Sequence, residues 1–244
     1  MKNAVMLAGG TGSRVAPFNT FVSKHLLGVN GKCIIDYPIK TLVAMGIENL
    51  TIVVGSSFSG QILDYVQDGS KFGLNVNYCY QHAPNGIAFA INLCKRFVAD
   101  DDEFITILGD NIFSNDISWQ NSPSKAQIVL VKHDELKRFG VMSLDAENKI
   151  VRIEEKPKTI DSNLNNYAIS GCYKFDHKFF DYFQNLKPSA RGEWEVTDII
   201  KQYHADDKLA TTFYDGLWVD AGTHESIAML NNHFYTRTHS YGTT

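Results

Sequence analysis

The chain has 244 residues, 44% hydrophobic and 20% charged, with a formal net charge of -4. That is the makeup of one globular domain, or at most two small ones, long enough to bury a real core. The acidic balance speaks against a general binder of nucleic acid or anionic membrane, although a local basic pocket remains allowed.

The opening MKNAVMLAGG has one Lys and a short apolar run broken by glycines, which fits neither a signal peptide nor a spanning helix, so a cytoplasmic protein is expected. Cys33, Cys79, Cys94 and Cys172 are scattered without a C-x-x-C pair and read as structural thiols. Short β-like runs alternate with helical stretches over the first two-thirds, which predicts an α/β fold with a mostly parallel sheet covered by helices. Strands are expected at Ala4–Leu7, Leu50–Val54, Leu74–Tyr80 and Phe104–Leu108, with helices at Ile35–Met45, Gly60–Val66 and Ile87–Phe97. After that the pattern changes. Ala126–Val131, Gly140–Leu144, Ile150–Glu154 and Ala168–Phe175 read as strands of a second, mixed lobe laid on the first sheet, with Thr159–Asn166 as a flexible loop. Helices at His177–Leu186 and Val196–His204, a short strand Trp218–Asp220 and a closing helix His224–Tyr235 complete the expected order. The chain is therefore read as a single domain in three parts, an α/β core (1–125), an inserted mixed lobe (126–220) and a closing helix and tail (221–244).

Chemistry-bearing residues cluster at the ends of the predicted strands. The first strand opens into Gly9-Gly10-Thr11-Gly12-Ser13-Arg14, where glycines let backbone N–H groups approach phosphate oxygens and Arg14 adds charge. The alternative is a plain tight turn. Lys24 follows in a stretch without regular pattern, as a mobile point charge for phosphate or simply a solvated loop lysine. Asp110 ends a strand buried on both faces, where open α/β sheets bind ligands, and a buried carboxylate invites a cation. Asp220 in Trp218-Val219-Asp220-Ala221-Gly222 repeats that form; the pair either shares one Mg²⁺ or serves as turn residues. Glu155 and Lys156 end another strand, either as an exposed strand end or as a grip on substrate hydroxyls and an anion. No Ser/His/Asp or Cys/His arrangement and no metal-ligand spacing of histidines is legible, so a covalent enzyme intermediate is unsupported.

Together these segments resemble the sugar-phosphate nucleotidylyltransferases, nearest to their short-form thymidylyltransferase branch acting on glucose 1-phosphate. The resemblance is carried by LAGGTGSRVAPFNTFVSKHLL, YQHAPNGIAFAI, ILGDNIF, RFGVMSLD, IEEKPK, NYAISGCYKFD, KPSARGEWEVTDI and WVDAGTHESI, in that order along almost the whole chain. It implies a Rossmann-like core with an inserted sugar-binding lobe, a nucleoside triphosphate (dTTP, or UTP) and a sugar 1-phosphate as ligands, and a homo-oligomer. Leu7, Gly9, Gly10, Gly12, Gln81, Gly86 and Asp110 are implied at the nucleotide, with Gln81 and Gly86 at the base. Arg14, Lys24 and Asp110 are implied in catalysis, Gly140, Glu155, Lys156 and Tyr173 at the sugar phosphate, and Asp110 with Asp220 at Mg²⁺. Asp110→Asn is accordingly expected to remove Mg²⁺-dependent turnover while leaving the fold intact.

This chain departs from the resemblance at Gly28, where the family has proline, at Cys33, which takes the proline place of its Lys-Pro, and at Asn85. The loop after Lys158 is also longer, and the extra C-terminal helical segment of the longer bacterial enzymes is missing, so a feedback site built from it is expected to be absent. These departures keep two alternatives open: a cytidylyl or other transfer to a different phosphorylated acceptor, and a catalytically silent sugar-nucleotide sensor.

Overall fold

The computed structural model describes residues 2–55, 57–98 and 103–239. Its first half is built of parallel strands joined by right-sized helical crossovers: β1 (Asn3–Ala8), the small hairpin β2 (Gly28–Val29) and β3 (Lys32–Cys33), α1 (Asp36–Ala44), β4 (Asn49–Val54), α2 (Ser59–Val66) and β5 (Asn75–Tyr80). The chain then passes through α3 (Ile87–Leu93) and α4 (Lys95–Val98) to β6 (Glu103–Leu108), which lies on the opposite side of β1 from β4 and β5. β1 is thus flanked by β4 and β6, both parallel to it. Where the crossovers reverse direction, between β1 and β6, the carboxyl ends of adjacent strands leave a crevice.

The expected helix Ile87–Phe97 is divided. Cys94 stands in a turn between α3 and α4, its N–H donating to the Ile91 carbonyl, and its thiol is buried.

The later strands do not form a separate layer on the first sheet; they continue it. β7 (Asn111–Phe113) and β8 (Ala126–Val131) are followed by β9 (Gly140–Leu144), β10 (Ile150–Glu155) and the long β11 (Asn165–Asp176). One edge of β11 is shared by two strands: Asn165–Ala168 pairs with β9, and Cys172–Asp176 pairs with β6, both antiparallel. Its other edge pairs with β8, with a break in register between Ile169 and Tyr173. Such an irregularity bends the strand and re-aims its side chains, and here it opens a gap between β6 and β9. Asn165 and Asn166 lie in β11, contrary to a flexible loop through Asn166. Asn166 donates to the carbonyls of Asp161 (2.7 Å) and Leu164 (2.9 Å) and accepts from Ser143 Oγ (2.6 Å), so the loop is pinned from within.

α5 (Lys178–Gln184) and α6 (Val196–Ala205) lead to β12 (Leu209–Phe213), which adds to β8; β13 (Trp218–Asp220) then pairs with β7, and α7 (His224–His239) follows. β2, β3, β7 and β12 were not expected: three of them are two- or three-residue pairs, and β12 alternates only weakly. The alternation of β1 sends Ala4 and Met6 into one core with Leu50, Ile52 and Ile107, and Val5 into the other with Phe104, Phe175 and Ile199. A small third core (Val29, Ile34, Ile112, Val219, Ala221, Leu230) seats α7 against the β7–β13 pair.

Candidate active site

The crevice between β1 and β6 holds a cavity of about 220 Å³ lined by Leu7, Gly9, Gly10, Lys24, Gln81, Gly86 and Asp110. Gly12 is not in its wall. It takes a left-handed φ of +66° and starts the short helical turn Ser13–Val15, where a side chain would also meet Lys24 Cβ at 3.2 Å. Its part is to turn the chain so that Arg14 leaves toward the neighbouring cavity. Gly10 supplies space: a methyl group there would stand 3.3 Å from Lys24 Nζ.

The gap between β6 and β9 holds a larger cavity of about 560 Å³, lined among others by Arg14, Asp110, Gly140, Glu155, Lys156, Tyr173 and Asp220. The residues expected at the sugar phosphate are thus brought together, and Asp110 belongs to the walls of both cavities. Ile87, Leu108 and Glu193 are likewise shared, so the two spaces are neighbours. Lys156 holds φ at +42°, and its N–H donates to the Phe139 carbonyl at 3.0 Å. A non-glycine residue kept in that region costs free energy and marks a place where the surroundings fix the backbone.

The charges are arranged in pairs. Lys24 Nζ is bonded to Asp110 Oδ2, each side chain only 11% exposed. Arg14 Nη2 stands 3.1 Å from Asp220 Oδ2, and Arg138 approaches the same oxygen at 3.9 Å. Burial raises the Asp110 carboxyl, but the Lys24 ammonium and the hydrogen bonds from Lys24 and Asn111 outweigh it, so Asp110 stays ionised well below the usual carboxylate range. Asp220 is pushed the other way, by burial first and then by the negative charge of Asp110. Its Oδ1 is buried and has no hydrogen-bond partner. The backbone holds the two acids side by side, Ala221 N–H donating to the Asp110 carbonyl at 2.8 Å. Two neighbouring carboxylates, one with an orphaned oxygen, form a hard oxygen set, which fits a Mg²⁺ ion completed by substrate phosphates.

The sequence reasoning missed several wall residues. Arg191 extends from the loop before α6, 2.6 Å from Glu193, 3.2 Å from Glu195 and 3.8 Å from Glu155. Burial, then the nearby Glu195, raises the Glu155 carboxyl. Arg138, Phe139, Thr197 and Trp218 also line the larger cavity. Asn111 is fully engaged: its Oδ1 accepts from Gly171 N–H (3.0 Å) and Trp218 Nε1 (2.8 Å), and its Nδ2 donates to Asp110 Oδ1 (3.0 Å). Each of these residues stands inside or beside a segment that carried the resemblance, which was the available signal. Gly28 and Cys33 lie in the β2–β3 hairpin and in the wall of neither cavity. A separate cavity of about 460 Å³ near α1 and α7, lined by Tyr37, Lys40, Tyr65 and Phe234 among others, contains none of the expected site residues. No helix of the described residues is long and apolar enough to cross a membrane.

Comparison with known proteins identifies the family. The family model described as Nucleotidyl transferase matches residues 3–237. A glucose-1-phosphate thymidylyltransferase of Neisseria meningitidis is 34% identical over 233 residues, covering 91% of this chain and 79% of the relative. The low-salt glycan biosynthesis nucleotidyltransferase Agl11 of Haloferax volcanii is 33% identical, covering 93% of this chain and 64% of its own. Among solved structures, a candidate glucose-1-phosphate thymidylyltransferase of Bacillus anthracis, in complex with sucrose, superposes with a TM-score of 0.87 at 39% identity, covering 96% of this chain and 95% of the other. A UDP-glucose pyrophosphorylase complexed with UDP-glucose shares the fold at a TM-score of 0.82 and 20% identity. The chain belongs to the nucleotidyl transferase family and is a sugar-phosphate nucleotidyltransferase.

Proposed function

We propose that this enzyme transfers a nucleotidyl group from dTTP, with UTP as the second choice, to glucose 1-phosphate, releasing pyrophosphate. The observation that carries the reading is the position of Asp110 in the walls of both cavities. A triphosphate in the smaller and a sugar phosphate in the larger meet at that residue.

A sugar phosphate oxygen is already anionic near neutral pH, so attack on the α-phosphorus needs no general base. The new P–O bond forms as the bond from the α-phosphorus to the bridging oxygen breaks, and pyrophosphate leaves with that oxygen. The protein must then align two anions and neutralise the departing charge. Lys24 lines the smaller cavity and Arg14 the larger, and in the free protein they are paired with Asp110 and Asp220 respectively. Substrate phosphates replace those carboxylates as partners of the cations. Asp110 and Asp220 are then free to hold Mg²⁺, which when bound supplies charge neutralisation at the phosphates. Arg138, Lys156 and Arg191 provide further positive charge in the larger cavity, while Glu155, Glu193 and Glu195 offer acceptors to sugar hydroxyls. Gln81, whose Oε1 lies 3.3 Å from where a methyl on Gly9 would stand, reads the base together with the Gly86 backbone.

The names of the Neisseria and Bacillus relatives support dTTP and glucose 1-phosphate. Gly28 and Cys33, which suggested another nucleotide, touch neither cavity wall. The test is a matrix of nucleoside triphosphates against sugar 1-phosphates, following pyrophosphate. Product with dTTP or UTP and glucose 1-phosphate is expected; product only with CTP or only with another acceptor overturns the assignment. Size-exclusion with light scattering tests the homo-oligomer.

A further inference from the structure

The turn expected at the base and the loop that carries Arg191 come from distant parts of the chain, yet they are bonded backbone to backbone. Trp194 N–H donates to the Asn85 carbonyl at 2.8 Å, and Ala88 N–H donates to the Trp194 carbonyl at 3.1 Å. Gly86 lies between these bonds with φ +100°, and a methyl group there would stand 2.6 Å from Trp194 O and 2.8 Å from Trp194 N. Only glycine fits a contact this close.

The Trp194 side chain fastens the same junction a second time. Its ring lies 5.4 Å from Phe89 on α3 and 6.5 Å from Phe183 on α5, and Phe89 and Phe183 are themselves 6.3 Å apart. Such ring contacts are worth more than their buried area alone. On the other side of Trp194 the loop is internally tied: Ser189 N–H donates to Glu193 O, Gly192 N–H to Ser189 O, and Ser189 Oγ to Glu195 Oε1, at 2.8, 2.8 and 2.7 Å. Arg191 and Glu195 line or brace the larger cavity, and Glu193 belongs to both. A displacement of the base-side turn is therefore handed on to the sugar-side loop.

We infer that Trp194 is a positioning residue that couples the two substrate pockets: it makes the 85–88 turn and the 189–195 loop one unit, so that filling the base side raises affinity on the sugar side. This rests on the function proposed above. Coupling is reciprocal by linkage, and effects of this kind run to about fivefold or more in affinity.

The test is calorimetric binding of glucose 1-phosphate without and with saturating thymidine. Thymidine carries no phosphate, so neither a metal ion nor repulsion between anions enters the measurement. In the wild type, thymidine is expected to tighten glucose 1-phosphate by about fivefold or more. Trp194→Ala is expected to reduce that effect to under about twofold, with each ligand alone binding within about threefold of wild type, and Trp194→Phe to restore it. Trp194→Leu, which keeps apolar bulk without the ring, decides the matter should the alanine variant not fold. A purely structural role for the ring lowers melting and leaves the coupling unchanged; unchanged coupling in a folded Ala or Leu variant overturns the inference. Independent binding of the two ligands to wild type also overturns it while leaving the pocket assignment standing. Failure of either ligand to bind wild type overturns the pocket assignment, and the coupling with it.

Discussion

Arg14 and Asp220 are 206 residues apart in the chain and form an ion pair, Nη2 to Oδ2 at 3.1 Å. The pair joins the glycine-rich turn after the first strand to the last strand. Arg14 is half exposed, with 50% of its side chain accessible, and solvent screens most of its attraction for the carboxylate. Its charge nevertheless faces the cavity where the phosphates are proposed to meet.

Arg14→Ala should therefore separate stability from activity. We expect unfolding free energy within about 1 kcal/mol of wild type and a fall in turnover of roughly a hundredfold to a thousandfold. Denaturant melts and pyrophosphate release measure the two quantities. Near-normal turnover would remove Arg14 from the reaction.

The other ion pair behaves differently. Lys24 and Asp110 are both almost covered, so Asp110→Asn leaves a lysine ammonium buried beside a neutral amide. The expectation that this substitution leaves the fold untouched is corrected on that ground. Loss of one partner of a buried pair costs about 3 kcal/mol or more, and turnover should also be lost. Adding Lys24→Met removes the stranded charge and should return most of the stability without returning activity. The double variant, melted beside both singles, distinguishes a stability effect from a chemical one. A double variant no more stable than Asp110→Asn would show that the pair is energetically idle.

These two pairs also mark how far the sequence could be read. Gly9, Gly10, Asp110 and Asp220 were legible because each stands where a short apolar run stops at glycine or aspartate, and a strand end is visible in a local pattern. Arg138 and Arg191 have no such marker; an isolated arginine in a loop looks like solvent-facing charge until the fold brings it inward. The break in β11 between Ile169 and Tyr173 was equally hidden, since Ser170-Gly171 sits inside an otherwise regular strand pattern. That break, together with two strands sharing one edge of β11, creates the larger cavity. It is a property of pairing over long range, and no local window contains it.

Gly171 makes the point testable. A methyl group there would stand 2.5 Å from Leu108 Cγ and 2.6 Å from Asn111 Oδ1. Asn111 is the residue that holds Asp110 Oδ1 and the Trp218 indole at once. Gly171→Ala should thus cost about 1–3 kcal/mol through overpacking and disturb Asp110 and Trp218 together. We expect KM for the sugar phosphate to rise roughly tenfold, the loss of about 1.4 kcal/mol of binding, with a smaller change for the nucleotide. Steady-state kinetics with each substrate varied in turn gives the comparison. An equal effect on both substrates, or none, would mean that Asn111 does not organise the larger cavity.

His25 gives the site a predicted acid lability. The ring is 1% exposed, its Nδ1 lies 3.3 Å from Ser23 Oγ, and a methyl on Gly109 would approach its Nε2 at 3.3 Å. Burial, and then the neighbouring Lys24 charge, lowers its pKa from 6.5 to about 3, against an opposing pull from Asp110. The unfolded chain therefore binds a proton between about pH 6.5 and 3 that the folded protein refuses. Stability from this group is present in full above the unfolded value and is lost as pH falls through that window. The whole difference is on the order of 5 kcal/mol, since each pKa unit between 6.5 and about 3 corresponds to about 1.4 kcal/mol. Urea unfolding of the chelator-treated protein at steps from pH 7 to pH 4, for wild type and His25→Gln, isolates the contribution. Carboxylates titrate alike in both proteins and cancel in the difference, so the wild type should lose stability more steeply by about 1.4 kcal/mol per pH unit below the unfolded pKa. Parallel pH dependence in the two proteins would show that His25 takes up its proton in the folded state and that its burial carries no such penalty.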